Sequence, residues 1–431
     1  MSYFSLYAGA MTLAVLLAHA VPAFAQSPLT LEQAQQRALQ RSRQLPAQEA
    51  AISASRERAV AAGQRPDPVL KAGIDNLPVS GADRYNIGSD FMTMRRIGVV
   101  QEITRSDKLR LRAAQFERGA DKARAEKAVM VARIERDTAL AWLDLFYADK
   151  ALALVQDLRS QAALSVQAAD AAYRGGKGSQ AELLGARGAL ASGDDKVAEF
   201  VQRRLTAQAM LERWTGPGAL SALANPPPAD TVRLDAAKLE ATLVHHPDVA
   251  VLERQREVAS VQADLAKANQ QSDWSVEVSL QHRGQAYSNM LSVGLSVPLQ
   301  WDRAKRQDRE LGAQLALVEQ AQGERDELLR THVAETRVLL DEWHSGRDRL
   351  TRYREQLLPL ADERGAAALA AYRGGKASLT EVLAARSAAF DVRLQALQLE
   401  QATARLWAQL NFLTPSEGGM AMAAGTTGGA Q

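Results

Sequence analysis

The 431-residue sequence contains no cysteine. That absence excludes disulfides, thiolate metal sites, a cysteine nucleophile and a lipid anchor on an N-terminal cysteine. Aromatic residues make up only 5% of the chain, and Ala is abundant, which favours helix over sheet. Charge of one sign is missing too, since 52 Lys and Arg stand against 50 Asp and Glu. The net charge of +2 leaves no electrostatic footprint for nucleic acid. No stretch of the mature chain reaches the length of apolar sequence that a transmembrane helix needs. There is no Gly-rich phosphate loop, no catalytic triad and no paired acid and base. The chain therefore reads as a non-enzyme that needs no cofactor.

Residues 1–25 lack Lys, Arg, Asp and Glu, are mostly apolar from Met11 to Phe24, and end in Ala23-Phe24-Ala25 before Gln26. This is the pattern of a secretory signal peptide, although its start carries no positive side chain. The remainder is written twice. Residues 171–187 and 370–386 agree at 12 of 17 positions, offset by 199. Ile97-Gly98-Val99 answers Val293-Gly294-Leu295, and Asp67 answers Asp273. The expected organisation is a signal peptide (1–25), a first structural repeat (26–215), a Pro/Gly-rich linker (216–234), a second repeat (235–414) and a disordered tail (415–431).

Each repeat shows the same order: helix, two strands, very long helix, Gly turn, returning helix. Proline is absent between Pro78 and Pro217, and glycine between Gly119 and Gly175. A single helix from about Ser106 to Ala172 would be roughly 100 Å long, far more than a globular core requires. Val131, Ile134, Ala141, Leu145, Ala148, Leu152, Val155, Ala162, Val166 and Ala169 form one heptad seam, broken at Thr138 and Arg159. Leu140, Leu143, Tyr147, Leu154 and Leu158 form a second seam. Two seams mean two neighbours, as in a bundle or a ring of helices. The matching helix of the second repeat, 302–371, contains Pro359, which predicts a bend about three turns before the Gly turn.

Trp274, Val276, Val278 and Leu280 alternate with polar residues, as do Leu291, Val293, Leu295, Val297 and Leu299. Leu70, Ala72 and Ile74, then Ile97, Val99, Gln101 and Ile103, give a less regular pair. These segments suit tilted strands that cross a bilayer, with Trp274 and Trp301 at one rim; a half-buried sheet is the alternative. Four strands leave two raw edges, whereas three copies would close a 12-stranded barrel above a ring of helices. The fold class is thus mainly α with a small β part. It is a duplicated half-molecule of long coiled-coil helices and two β-hairpins, forming a trimeric α-barrel and a 12-stranded β-barrel.

Both Gly turns carry Ala-Tyr-Arg-Gly-Gly-Lys-x-Ser-x-x-Glu-x-Leu, at 172–184 and 371–383, and Arg65-Pro-Asp-Pro68 precedes the first strand. With the duplication, the hairpins and the long helices, these motifs resemble the TolC-type outer-membrane efflux protein family over essentially the whole mature chain. The resemblance implies a homotrimeric conduit in the outer membrane of a Gram-negative bacterium, in contact with its lipid and extending into the periplasm. It also implies two partners, a periplasmic membrane-fusion adaptor and an inner-membrane RND-type pump. Phe91-Met-Thr-Met-Arg-Arg-Ile-Gly-Val99 followed by Gln101-Glu102 is most similar to channels of heavy-metal (cobalt–zinc–cadmium/copper type) RND systems. A duct for drug efflux or type I protein secretion stays open as an alternative. Two copied halves with internal hairpins disfavour a periplasmic adaptor or scaffold.

Gly175-Gly176 and Gly374-Gly375 permit sharp helix reversals, and Ser179 with Glu182 and Ser378 with Glu381 form capping boxes for the returning helices. That structural role explains the motif without a partner. By resemblance this end is the periplasmic entrance, where Tyr173, Arg174, Lys177, Tyr372, Arg373 and Lys376 would contact the adaptor. Also by resemblance, Glu381 stands where relatives place a lumenal acidic gate, while the second acid of some relatives is Ala384 here. A capping role alone is the competing reading of Glu381. The histidines argue against a metal site: His245-His246 precedes Pro247, and His282, His332 and His344 are isolated, with no i,i+4 partner. Met92, Met94 and Met290 read as barrel gap-fillers before they read as copper ligands.

Overall fold

The computed structural model describes residues 28–217 and 222–424. The expected signal peptide, residues 218–221 of the linker and residues 425–431 of the tail lie outside the described residues. The first repeat begins with helices α1 (Leu31–Arg41) and α2 (Gln44–Ala62), followed by strands β1 (Val69–Asp75) and β2 (Met94–Ile103). It continues with α3 (Ser106–Arg174) and returns through α4 (Gln180–Thr215). The second repeat copies this order with α5 (Leu239–Leu243), α6 (Pro247–Ala268), β3 (Trp274–His282), β4 (Met290–Ser296), α7 (Gln307–Arg352), α8 (Leu358–Arg373) and α9 (Leu379–Asn411).

Helix α3 runs for 69 residues, about 100 Å at the standard rise. It contains no proline, and its one glycine, Gly119, sits where an added Cβ would crowd Ser55 of α2. Its buried residues include Val131, Ile134, Ala141, Leu145, Val155, Ala162 and Ala169 from one seam, and Leu143 and Tyr147 from the other. The helix packs along α1, α2, α4, α6 and α9. It is therefore the spine against which both repeats assemble, with a wider set of neighbours than two seams alone suggest.

The counterpart of α3 is interrupted. Residues Tyr353–Leu357 form a π-helical turn between α7 and α8, with Pro359 at the start of α8. Proline has no N–H for the helix ladder and its ring crowds the carbonyl four residues back. The wider turn just before Pro359 absorbs both defects, which places the irregularity where the sequence predicts a bend.

The core between the repeats is organised by tryptophan. Trp142 of α3 donates its indole N–H to the Leu29 carbonyl at 3.1 Å. Trp343 of α7 donates to the Ala229 carbonyl, also at 3.1 Å. Each long helix thus clamps the extended segment that leads into its own repeat. Trp407 adds a third bond, to the Thr231 carbonyl at 2.9 Å. Leu29 also pairs in parallel with Leu223, tying the start of the first repeat to the segment entering the second. The proline-rich segment 225–234 is therefore held at fixed points along the helices.

The expected tail disorder is corrected in part: Glu417–Ala424 forms helix α10 against α3. The cause is a buried carboxylate. Glu135, 1% exposed, accepts the backbone N–H of Ser416 at 2.8 Å and its hydroxyl proton. Gly419 lies so close to this carboxylate that an added Cβ would overlap it. Glycine in the tail here serves close packing.

Candidate functional site

The four strands form one antiparallel sheet in the order β1-β2-β3-β4. Its register aligns Leu70, Val99, Val278 and Val293 in one row and Ala72, Ile97, Leu280 and Leu291 in the next. Gln101, Val276 and Leu295 make a third row. Period-2 alternation puts all three rows on one face. Apart from Gln101 these rows are apolar, and Leu291 and Val293 are each 70% exposed; the next row on the same face, Ile74, Arg95 and His282, ends the apolar band. An apolar surface this continuous on an otherwise charged chain is what a strand presents to lipid.

The opposite face carries Lys71, Arg96, Glu277, Ser279 and Ser292. Here three strands are cross-linked by charge. Lys71 pairs with Glu277 at 2.9 Å, and Arg96 bridges Asp75 at 3.2 Å and Glu277 at 3.5 Å. The sequence reading missed this network, because Lys71 and Glu277 meet only in the folded register. Strand β4 also stops at Ser296, short of the expected Leu299, because Pro298 cannot donate to a ladder. Trp274 and Trp301 still lie toward the same end of the hairpin, and Trp301 is 89% exposed. Met94 on β2 and Met290 on β4 are separated by β3, and Met92 precedes β2 in the loop, so of the three expected barrel gap-fillers it alone lies outside a strand.

Where the sheet meets the helices, Lys108 of α3 is buried and reaches Asp273, just before β3, at 2.8 Å. Lys108 also donates to the Gln271 carbonyl at 2.6 Å, and Asp273 accepts the Arg105 N–H at 3.0 Å. Burial resists ionisation of Asp273, but Lys108 and the Arg105 N–H hold its carboxyl below the usual range. The first repeat is thereby fastened to the second at the foot of the sheet.

At the far ends of α3 and α8 the two Gly turns share one backbone geometry. Gly176 has φ 67° and Gly375 φ 68°, left-handed values that glycine adopts without strain. The Lys177 N–H reaches the Ala172 carbonyl and the Lys376 N–H the Ala371 carbonyl, each at 2.9 Å. The Gly176 and Gly375 N–H groups reach Tyr173 and Tyr372, completing a Schellman end on both helices. Ser179 accepts the Glu182 N–H at 3.2 Å and Ser378 the Glu381 N–H at 3.3 Å. The Glu182 carboxylate returns to the Ser179 N–H at 3.0 Å, and that of Glu381 to the Ser378 N–H at 3.5 Å and hydroxyl at 3.1 Å.

The turns lie side by side, since Ala169, Leu183, Ala186, Leu379 and Val382 form one apolar cluster beneath them. Tyr173, Arg174, Lys177, Arg373 and Lys376 are exposed. Tyr372 is not equivalent to Tyr173: it is half-buried and packs on that cluster, a correction to its expected exposure. Arg174 pairs with Asp170 at 2.8 Å, while Leu369 occupies the position corresponding to Asp170 below Arg373. Glu381 and Ala384 are both exposed on α9.

The histidines differ from expectation. His246 caps α6 and His332 lies on α7, 86 positions apart in sequence, yet their rings stand 4.5 Å apart. Asp248 completes a group whose ligand atoms all fall within 4.8 Å of one another. No spacing rule detects such a pair, because the contact is made by packing α6 against α7.

The family model described as "Outer membrane efflux protein" matches residues 34–217 and 239–415, most of each repeat. Among solved structures, the chain is similar to the outer-membrane channel OprN, at 17% identity and a TM-score of 0.73 over 90% of each chain. It is also similar to the outer membrane protein VceC from Vibrio cholerae, at 19% identity and a TM-score of 0.72, covering 89% of this chain and 95% of that one. A third similar structure is CusC, at 17% identity and a TM-score of 0.68, covering 90% of this chain and 92% of the other. No curated protein sequence matches the chain. A lipid-type sheet, paired helix turns and a family match over both repeats converge, and the chain belongs to the outer membrane efflux protein family: it is an outer-membrane channel that extends into the periplasm, a transport duct and not an enzyme.

Proposed function

We propose that this efflux channel is a homotrimeric exit duct for heavy-metal cations, served by an RND-type inner-membrane pump and a periplasmic adaptor. The observation that carries the trimer is the sheet. It has four strands, one face with a broad apolar band, one charged face and two edge strands with a single neighbour each. In lipid an open edge leaves backbone N–H and C=O groups without partners, and only a closed barrel removes that cost. Joining β4 of one copy to β1 of the next closes three copies into 12 strands. The charged face then lines the lumen and the apolar face meets lipid.

The conduit is passive, and its free energy comes from the inner-membrane partner. Adaptor docking falls to the exposed turn residues Tyr173, Arg174, Lys177, Arg373 and Lys376, with Tyr372 supporting the turn from within. The metal reading rests on the sequence around Phe91–Val99. Deleting the chain should sensitise cells to one or more of cobalt, zinc, cadmium, copper and silver. Unchanged tolerance to all five, with sensitivity to drugs or dyes instead, would replace the metal cargo.

Glu381 is proposed as a lumenal gate in addition to its capping role. Three copies of one carboxylate near the axis repel each other and favour cations. Glu381→Gln keeps a capping box, because Gln serves at that position, but removes the charge. It should lower cation selectivity in planar bilayers without loss of trimer. Unaltered selectivity would leave Glu381 as a cap alone.

A further inference from the structure

Between α3, the start of α6 and the middle of α7 lies a cluster that the conduit function does not use. His246 is 5% exposed and sits at the N-cap of α6. Its Nδ1 accepts the Asp248 N–H at 3.2 Å, so the ring carries its proton on Nε2 and turns its basic nitrogen toward Asp248. The same Nδ1 is 3.8 Å from Asp248 Oδ2. His332 Nε2 is 4.0 Å from that same oxygen. This Nε2 is buried and has no hydrogen-bond partner, a condition that buried polar atoms rarely tolerate without a reason. Two imidazole nitrogens therefore flank one carboxylate oxygen, and one of them is unsatisfied.

We propose that His246, Asp248 and His332 form a binding site for a borderline first-row divalent cation of the zinc type, with water as the fourth ligand. The ligand chemistry fits, because imidazole and carboxylate together suit Zn²⁺ and its neighbours and exclude hard ions such as Mg²⁺. The distances nearly fit as they stand. Ligands about 2.0–2.1 Å from a tetrahedral ion lie roughly 3.3 Å from one another, so the two histidine–carboxylate gaps close by about 0.5–0.7 Å and the histidine–histidine gap, within 4.8 Å, by at most about 1.5 Å. The bound ion replaces the Asp248 N–H on His246 Nδ1 and gives His332 Nε2 its missing partner.

The surroundings sort into groups that help and groups that oppose. Glu335 Oε2 lies 3.7 Å from His332 Nδ1, on the side from which a carboxylate orients a metal-bound imidazole and leaves Nε2 free to ligate. Arg133 of α3 approaches Asp248 Oδ1 at 3.4 Å and leaves Oδ2 to the histidines. Arg136, also on α3, adds a second positive charge nearby, which limits affinity, although it is paired with Asp137 at 3.0 Å. Burial, followed by the neighbouring His332, lowers the His246 pKa to about 4, so the ring is in its neutral, ligating form at neutral pH.

The site does not require that the exported cargo be a metal. The test uses the full chain purified in detergent, stripped of metal with chelator and titrated with Zn²⁺ by calorimetry and with Co²⁺ by visible absorption. One ion per chain is expected, with the intense absorption of a tetrahedral Co²⁺ site. His332→Gln keeps the volume of the side chain and should weaken binding more than about tenfold, while Glu335→Gln weakens it less. His344→Ala, on the same helix but outside the cluster, should bind as the parent does. Trimer content measured on each variant separates loss of the site from loss of fold. Absence of saturable Zn²⁺ binding, or equal binding by His332→Gln, would overturn the proposal. A positive result with unchanged cellular metal tolerance would establish the site and count only against the metal cargo.

Discussion

At the scale of single residues, duplication does not mean equivalence. Gly98 and Gly294 occupy corresponding places in the two hairpins, and the sequence offers no way to rank them. In the sheet, a Cβ on Gly98 would stand 2.6 Å from Ser279 Cβ and 2.9 Å from the Val278 carbonyl. The nearest atom to a Cβ on Gly294 is Glu277 Cβ, at 3.8 Å. Gly98→Ala should therefore cost about 1–3 kcal/mol through overpacking, and Gly294→Ala close to nothing. Urea midpoints of the assembled protein check both. Glu135 gives a pH prediction. Burial raises its folded pKa above the ordinary carboxylate value, against the opposing help of Ser416 and Arg233. The folded state then holds the proton more tightly than the unfolded chain does. This group's contribution to stability is complete below the unfolded value and is lost as pH rises through the raised folded one. Amide exchange at Ser416 and Gly419 should quicken across that window, and Glu135→Gln should flatten the dependence.

At the scale of elements, what was legible follows from which signals are local. The span of α3 could be read because no proline and almost no glycine interrupts a heptad pattern. The returning helices could be read because Ser179 and Ser378 stand three residues before Glu182 and Glu381. Features made by packing distant segments together could not be read. The clamps of Trp142 and Trp343 were hidden because their acceptors are backbone carbonyls, although the two tryptophans lie within two residues of the 199-residue offset between the repeats. The pairing of His246 with His332 and the charge network of Lys71, Arg96 and Glu277 were hidden for the same reason. Pro359 was legible as an interruption, but its form, a π-turn over Tyr353–Leu357, was not. Pro359→Ala restores the missing N–H and should allow that turn to relax toward α-helix. Spin labels at Arg349 and Ala366 should then move apart, because an α-helix rises more per residue than the wider turn. Labels at the same spacing on α3 should not move.

At the scale of the molecule, the two faces of the sheet assign its surroundings. Val293→Arg places a charge on the apolar face and should destabilise the inserted protein by about 2–4 kcal/mol if it lies near the midplane. Ser292→Arg, one residue away on the charged face, should insert normally and change conductance. Folding titrations into lipid vesicles and single-channel recordings separate the two, and equal penalties would refute the assignment of faces. The helical part has no such dependence on lipid. Its spine, its tryptophan clamps and the Lys108–Asp273 pair are all satisfied within one chain.

That contrast bears on the order in which the protein is made. The clamps and the ion pair of the helical part close within one chain, although Leu164, Leu184, Leu205 and Leu360 stay exposed on its helices. The sheet cannot enter lipid alone, because β1 and β4 would each carry an unpaired edge into hydrocarbon. With the proposed trimer, assembly comes before insertion or accompanies it, so the appearance of channels should rise more steeply than linearly with the supply of chains. In that scheme, a cell with a small stock of this protein would hold unassembled chains in the periplasm, and very few open pores.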